Sequence, residues 1–241
     1  MLGEGGCGKV FFTHVDDHPY AIKLIEKRRH NEKYVLKKIG PHPNIVPFID
    51  DFKRGGRQYL VFEVCQRLSK GKYTLEETKQ VARHILRALK FIHVDHDLRF
   101  GDLKKENVMI FSKHYVLIDF GYCKAEKDAR GLGTLDYLAP ELVSRRDPKM
   151  LKANDIWALG VLIFKLLTDK FPFYSSSQSK TMDNIKHKKI TKQHSWKSLD
   201  PSTRSFLDYL WRISPGKRPT VKDVINHPWL NSVRSMSLPY D

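Results

Sequence analysis

From Lys9 to Ile25, β-branched and aromatic residues gather on both sides of Asp16-Asp17-His18-Pro19, a turn by composition, and this pattern predicts a β-hairpin. A short helix is expected over residues 28–39, stopping before Gly40-Pro41. Residues 45–52 and 58–64 read as two further strands joined at Gly55-Gly56. The period then changes. Thr74-Leu75-Glu76-Glu77 has the form of a capping box, and Val81, Ile85, Leu86, Leu89 and Ile92 return at helical spacing. Further helices fit residues 153–168, 201–211 and 220–226. The expected architecture is α+β: one domain over residues 1–241, with a small, mostly antiparallel sheet lobe over 1–65 and a larger helical lobe over 66–241. The longest apolar stretch, residues 156–167, is interrupted by Lys165 and reads as a buried helix. No run of about 18 apolar residues is present and the N-terminus lacks a charged-then-apolar leader, so neither a membrane span nor secretion is expected.

Composition adds a constraint on location and partners. With 41% hydrophobic and 29% charged residues, the 241-residue chain is ordinary for a globular protein. Cys7, Cys65 and Cys123 are an odd, widely spaced set without metal-ligand spacing, which suits free thiols and an intracellular location, cytoplasmic or nuclear. The 43 Lys and Arg against 27 Asp and Glu leave a net charge of +16, a field that favours acidic or nucleic-acid-associated partners. The basic runs Lys27-Arg28-Arg29, Arg145-Arg146 and Lys186-His187-Lys188-Lys189 read mainly as solvated faces.

The chemistry sits in short motifs whose order matters more than any one of them. Gly3-Glu4-Gly5-Gly6-Cys7-Gly8-Lys9-Val10 is followed by Tyr20-Ala21-Ile22-Lys23. Next come Asp102-Leu103-Lys104-Lys105-Glu106-Asn107, Asp119-Phe120-Gly121 and Ala139-Pro140-Glu141. Glycines at 3, 5 and 8 let a hairpin lie close over phosphates and offer backbone N–H groups that a Cβ would obstruct. A Walker A loop is excluded because Val10 stands where a magnesium-binding hydroxyl is needed, and a Rossmann loop because Val10-Phe11-Phe12 reads as strand rather than helix. In this order the motifs resemble the eukaryotic protein kinase family over nearly the whole chain.

That resemblance implies a two-lobed kinase fold, transfer of the ATP γ-phosphoryl group to protein hydroxyls, and dependence on Mg or Mn. By it, Lys23 reaches the α- and β-phosphates and Glu32 holds Lys23, although Glu26 is also nearby. Asp102 is the base, Lys104 sits by the γ-phosphate, and Asn107 and Asp119 are the metal ligands. Leu2, Gly3, Gly5, Gly6, Gly8, Val10, Ala21, Phe62, Glu63, Cys65 and Met109 surround the nucleotide. Thr134, Glu141, Asp155 and Arg218 shape the catalytic and substrate loops. The form Asp102-Leu103-Lys104 with Gly133-Thr134 points to serine and threonine acceptors. All three cysteines are expected around the nucleotide pocket, where alkylation would inhibit.

Departures from the family carry their own expectations. Phe100-Gly101 replaces the usual His-Arg before the catalytic aspartate, and between Gly121 and Gly133 there is no serine or threonine. Phe100 can take the histidine's place against Phe120, but Gly101 supplies no arginine to hold an activation-loop phosphate. The two absences together predict activity without loop phosphorylation. Lys23 and Glu32 are only nine residues apart, and Glu63 to Leu75 leaves little room for a helix after the hinge. This compact, basic form resembles the kinases of baculoviruses, which implies a viral protein acting in a host cell.

Overall fold

The computed structural model describes residues 3–5 (backbone only), 8–25, 31–125, 133–144 and 150–231. Five antiparallel strands form the small lobe: β1 (Gly3–Gly5), β2 (Gly8–Val15), β3 (His18–Ile25), β4 (Phe48–Arg54) and β5 (Arg57–Glu63), in the order β1-β2-β3-β5-β4. Two tight turns set the register. Asp16 and Asp17 both take positive φ (49° and 61°) between β2 and β3, and Gly55 and Gly56 (56° and 72°) do so between β4 and β5. Paired positive φ matches the right-handed twist of the strands, and two consecutive glycines reach it without steric cost. Pro19 is tolerated in β3 because β5 pairs with β3 only from Tyr20 onward.

Helix α1 (Glu32–Ile39) packs on this sheet with Glu32, Val35, Leu36 and Ile39 buried, one face at helical spacing. It ends at Gly40, whose N–H still reaches the Leu36 carbonyl and whose φ of 70° then turns the chain out of the helix. The expected helix reached back to Arg28; residues 26–30, Glu26 and the basic run among them, lie outside the described residues.

The larger lobe is built on α2 (Leu75–Lys90), α3 (Pro140–Val143), α4 (Lys152–Thr168), α5 (Gln178–Lys186), α6 (Gln193–Lys197), α7 (Pro201–Leu210), α8 (Val221–Ile225) and α9 (Pro228–Asn231). The capping box forms as read: Glu77 N–H donates to Thr74 Oγ1 at 3.2 Å, and Thr74 N–H donates to Glu77 Oε2 at 2.7 Å. Helix α4 is buried almost all round. Gly160 lets α4 approach Trp211, since a Cβ there would lie 2.5 Å from the indole Nε1. Neither α5 nor α6 was anticipated, because short, polar helices carry a weak apolar period. No helix among the described residues is long and apolar enough to cross a membrane.

Short strands line the cleft between the lobes: β6 (Gln66–Arg67), β8 (Val108–Phe111) and β9 (His114–Leu117) form one sheet, and β7 (Leu98–Arg99) pairs with β10 (Lys124–Ala125). The strand expected from Ile45 begins only at Phe48, because Ile45 bridges Leu117 of β9 instead. Around that bridge, Val46 N–H donates to the Leu117 carbonyl and the buried Asn44 amide donates to the Tyr115 carbonyl. This strip ties the lobes together behind the cleft.

His84 joins α2 to β9, its Nδ1 accepting the Tyr115 N–H at 3.0 Å. Burial first, then the nearby Arg87, His114 and Arg83, push its pKa down to about 4 from 6.5. A depressed histidine favours the fold fully above pH 6.5 and loses that contribution as pH falls toward 4. Replacing His84 with Gln should therefore flatten the fall in melting temperature between pH 7 and pH 4.5. Parallel pH curves for the two proteins would contradict this linkage.

Candidate active site

The strand register assembles one wall of the cleft. Val10 pairs with Lys23, Lys23 with Leu60, and Ala21 with Phe62, so Val10, Ala21, Lys23 and Phe62 share a sheet face. Gly5 and Gly8 face each other where β1 meets β2. Leu2, Gly6 and Cys7 lie outside the described residues. At the end of β5, the Glu63 N–H is taken by the Pro47 carbonyl. Met109 is on β8 opposite Arg67, next to Cys65 and Gln66 where the chain leaves the sheet lobe. No helix follows the hinge before α2, as the short interval required.

Lys23, only 7% exposed, donates from Nζ to Glu32 Oε2 at 2.7 Å and to Asp119 Oδ1 at 2.9 Å. Burial works against its charge, but the two carboxylates more than offset that and hold its pKa above the ordinary lysine value. Burial also pushes Glu32 upward, opposed by Lys23 and by the Phe120 N–H that Glu32 Oε1 accepts at 3.1 Å. Glu32, rather than Glu26, is thus the carboxylate that meets Lys23. Asp119 takes a left-handed conformation (φ 62°), and Phe120 behind it is fully buried, edge-on to Phe100 at 5.3 Å. Phe100 makes the expected packing contact.

Across the cleft, Asp102 is held from several sides. Its Oδ1 accepts the N–H and Oγ1–H of Thr134 (both 3.0 Å), and its Oδ2 accepts Lys104 Nζ at 2.7 Å. Lys104 also reaches Thr134 Oγ1. Asn107 Nδ2 donates to the Asp102 carbonyl at 2.8 Å and to its Oδ2 at 3.2 Å, which leaves the amide oxygen of Asn107 as an acceptor. The loop carrying Asp102 hangs on Asp155 of α4, fully buried, which accepts the N–H groups of Phe100 and Gly101 and the ring nitrogen of His93, each at 2.8 Å. Arg218 clasps Glu141 through two nitrogens (2.8 and 3.0 Å), donates to the carbonyls of Ala153, Arg212 and Ile213, and lies over the Trp157 ring.

The sequence matches the protein kinase domain family over residues 1–230. The chain belongs to this family, as a eukaryotic-type serine/threonine protein kinase catalytic domain. It is 31% identical over 254 residues to the calcium/calmodulin-dependent protein kinase cmkA of Emericella nidulans, covering 95% of this chain and 60% of that protein. It is 30% identical to calcium/calmodulin-dependent protein kinase type 1 of Caenorhabditis elegans (96% and 73%) and 28% identical to human serine/threonine-protein kinase H1 (98% and 61%). The chain spans about three fifths of the fungal and human relatives. All three are cellular proteins.

Two features of this kinase depend on packing that its sequence does not display. Arg99, fully buried, fills the space beside Gly101: a Cβ on Gly101 would lie 2.6 Å from Arg99 Nη1 and 2.9 Å from the Tyr122 carbonyl oxygen. Its Nε and Nη2 have no hydrogen-bond acceptor among the described residues. An arginine beside apolar Leu98 and Phe100, two residues before a glycine, was the available signal. The second concerns the cysteines. Cys123 is fully buried with its thiol pKa pushed up by burial and then Asp155, and burial followed by Glu63 lifts Cys65 to about 11. Burial thus works against thiolate formation at both positions; Cys7 lies outside the described residues.

Gly101 has φ of 89° as well as no room for a Cβ. Gly101→Ala should cost about 1–3 kcal/mol by overpacking and strain. Thermal unfolding should show a clear drop in melting temperature, with turnover falling as the backbone beside Asp102 shifts. An unchanged melting temperature would show that Arg99 can vacate this space freely.

Proposed function

We propose that this chain is an active, ATP- and Mg-dependent serine/threonine protein kinase, one catalytic domain with its lobes meeting near Cys65. The observation that carries the reading is the Lys23–Glu32–Asp119 cluster facing the Asp102–Lys104–Thr134 cluster across one cleft. A scaffold that had lost catalysis would have no use for all three charged groups, Lys23, Asp102 and Asp119, in mutual register.

In this reading the adenine lies between Val10, Ala21 and Met109, against the hinge backbone of Glu63 and Cys65, with Phe62 closing the pocket behind. The glycine loop, with Leu2, Gly3, Gly5, Gly6 and Gly8, covers the phosphates, and Lys23 neutralises the α- and β-phosphates. Among the described residues no three His, Cys, Asp or Glu side chains converge as a metal centre. Two hard oxygens, from Asp119 and Asn107, still fit a cation completed by phosphate and water, as Mg prefers. That cation, Mg or Mn, would neutralise charge between the phosphates.

Asp102, held by Thr134, orients a serine or threonine hydroxyl and accepts its proton as the hydroxyl oxygen bonds the γ-phosphorus. The bond to the departing ADP oxygen breaks, and Lys104 stabilises the phosphoryl oxygens during transfer. Arg218 and Glu141 brace the substrate loop. Activity without loop phosphorylation is supported by Gly101, which has no side chain, and by the enclosure of Arg99, which keeps its guanidinium away from the surface. Protein substrates are the expected partners. A site for acidic ones would be a separate pocket of about 900 Å³ beside α7, where Arg204, Arg212 and Lys217 outnumber Asp208. The viral likeness rests on sequence compactness and basicity alone.

Asp102→Asn should lower kcat by about 10²–10⁴ with the circular dichroism spectrum unchanged; an undiminished rate of phosphate transfer from radiolabelled ATP would refute the assigned mechanism. Bacterially produced protein treated with phosphatase should retain full activity. A tenfold loss traced by mass spectrometry to Tyr122 or Thr134 would instead reveal a phosphorylation switch.

A further inference from the structure

Helix α1 positions Glu32, yet little in its own sequence fixes it. It has eight residues, below the roughly 12–15 at which an isolated helix becomes even marginal, and Asn31 makes no side-chain cap at its start. Apart from Glu32 its inner face is apolar, Val35, Leu36 and Ile39, and apolar contacts are non-directional. Its outer face carries Lys33 and Lys37, one turn apart, and both ion-pair with the carboxylate of Asp51 on β4. The Asp51 side chain is 7% exposed, whereas those of Lys33 and Lys37 are 40% and 53% exposed. Gln58 of β5 donates from Nε2 to Asp51 Oδ2 at 3.1 Å and fixes its orientation from the sheet side.

We propose that Asp51 is a positioning residue, clamping α1 to the sheet through Lys33 and Lys37 and thereby holding Glu32 against Lys23. The chemistry is directional. An enclosed carboxylate with two ammonium partners resists losing either, because the remaining charge would stay buried and undercompensated. The two lysines, spaced by one helical turn, fix the helix in rotation as well as in distance. Burial raises the carboxyl, but Lys33 and Lys37 outweigh it and bring its pKa to about 2. With the folded value below the ordinary 3.8, the clamp is complete above that pH and opens only as pH falls through about 2. It therefore acts as a permanent brace over the neutral range. In a chain whose catalytic loop offers no exposed arginine for a loop phosphate, this brace supplies from the sheet an alignment that does not depend on modification.

The inference rests on the kinase reading for its consequence but not for its geometry, so the test has two readouts. Asp51→Asn, and the reversed triple variant Asp51→Lys with Lys33→Asp and Lys37→Asp, are compared with the unmodified chain. Hydrogen exchange is followed over α1 and α4, and kcat and KM are measured with ATP and a protein substrate. Asp51→Asn should speed exchange in α1 but not α4 and lower kcat by about 10- to 100-fold, with KM for the protein substrate little changed. The reversed triple should recover both readouts. Unchanged α1 exchange in Asp51→Asn overturns the clamp, and faster exchange with unchanged kcat overturns its role in positioning. A folded triple variant that recovers neither overturns the charge pairing. If the unmodified chain transfers no phosphate, the kinase reading fails while hydrogen exchange still decides the clamp.

Discussion

The buried ammonium of Lys23 is the constraint around which the two lobes are arranged. A lone cation at 7% exposure would pay heavily for desolvation, so the chain surrounds it with Glu32 from the helix and Asp119 from the opposite side of the cleft. Such an arrangement is a weak source of net stability, since the Coulomb gain is set against the dehydration of three groups. What it gives is position. Removing any one member leaves the others mispaired, so strand β3, helix α1 and the segment around Asp119 must hold one relative arrangement. Glu32 extends the coupling by accepting the Phe120 N–H, which carries the same constraint into the buried Phe120–Phe100 contact.

The opposite side of the cleft solves a different problem with the same means. Asp155 has no exposure, and two backbone N–H donors plus a histidine ring satisfy it. Its helix, α4, is locked by aromatic packing around Trp157, Phe173 and Trp211. The loop carrying Asp102 is therefore suspended from a buried helix of the large lobe, while Lys23 is carried by the sheet and Glu32 by α1. Because Asp119 and the Phe120 N–H reach the Lys23–Glu32 pair from the far side of the cleft, any shift between the lobes is felt first within that cluster.

Much of this was legible in the sequence because it depends on local chemistry. Thr74 to Glu77 and the two-residue turns are satisfied by neighbours a few positions away, and the apolar residues of α2, α4 and α7 announce burial whatever they pack against. The lysine, carboxylate and loop groups were legible through their order along the chain. What escaped depends on distant packing. Ile45 reads as strand, but Leu117 claims it. Helices α5 and α6 have little apolar period of their own and are defined by what they cover. The clamp of Lys33 and Lys37 on Asp51 joins residues that are unremarkable individually; only the register of β4 against α1 brings them together.

Arg99 and Gly101 show how a departure from a family pattern can be misread when one position is considered alone. Gly101 by itself means the absence of a side chain. In the fold its missing Cβ is the space that the Arg99 guanidinium occupies, so the glycine and the arginine depend on each other. The loop thus retains a guanidinium beside Gly101, but approached from β7 and sealed from solvent. A charge on the surface can respond to a phosphate; one enclosed at this depth mainly dictates which neighbours the backbone must keep. Here the glycine leaves the Arg99 guanidinium the room it needs beneath the loop that carries Asp102.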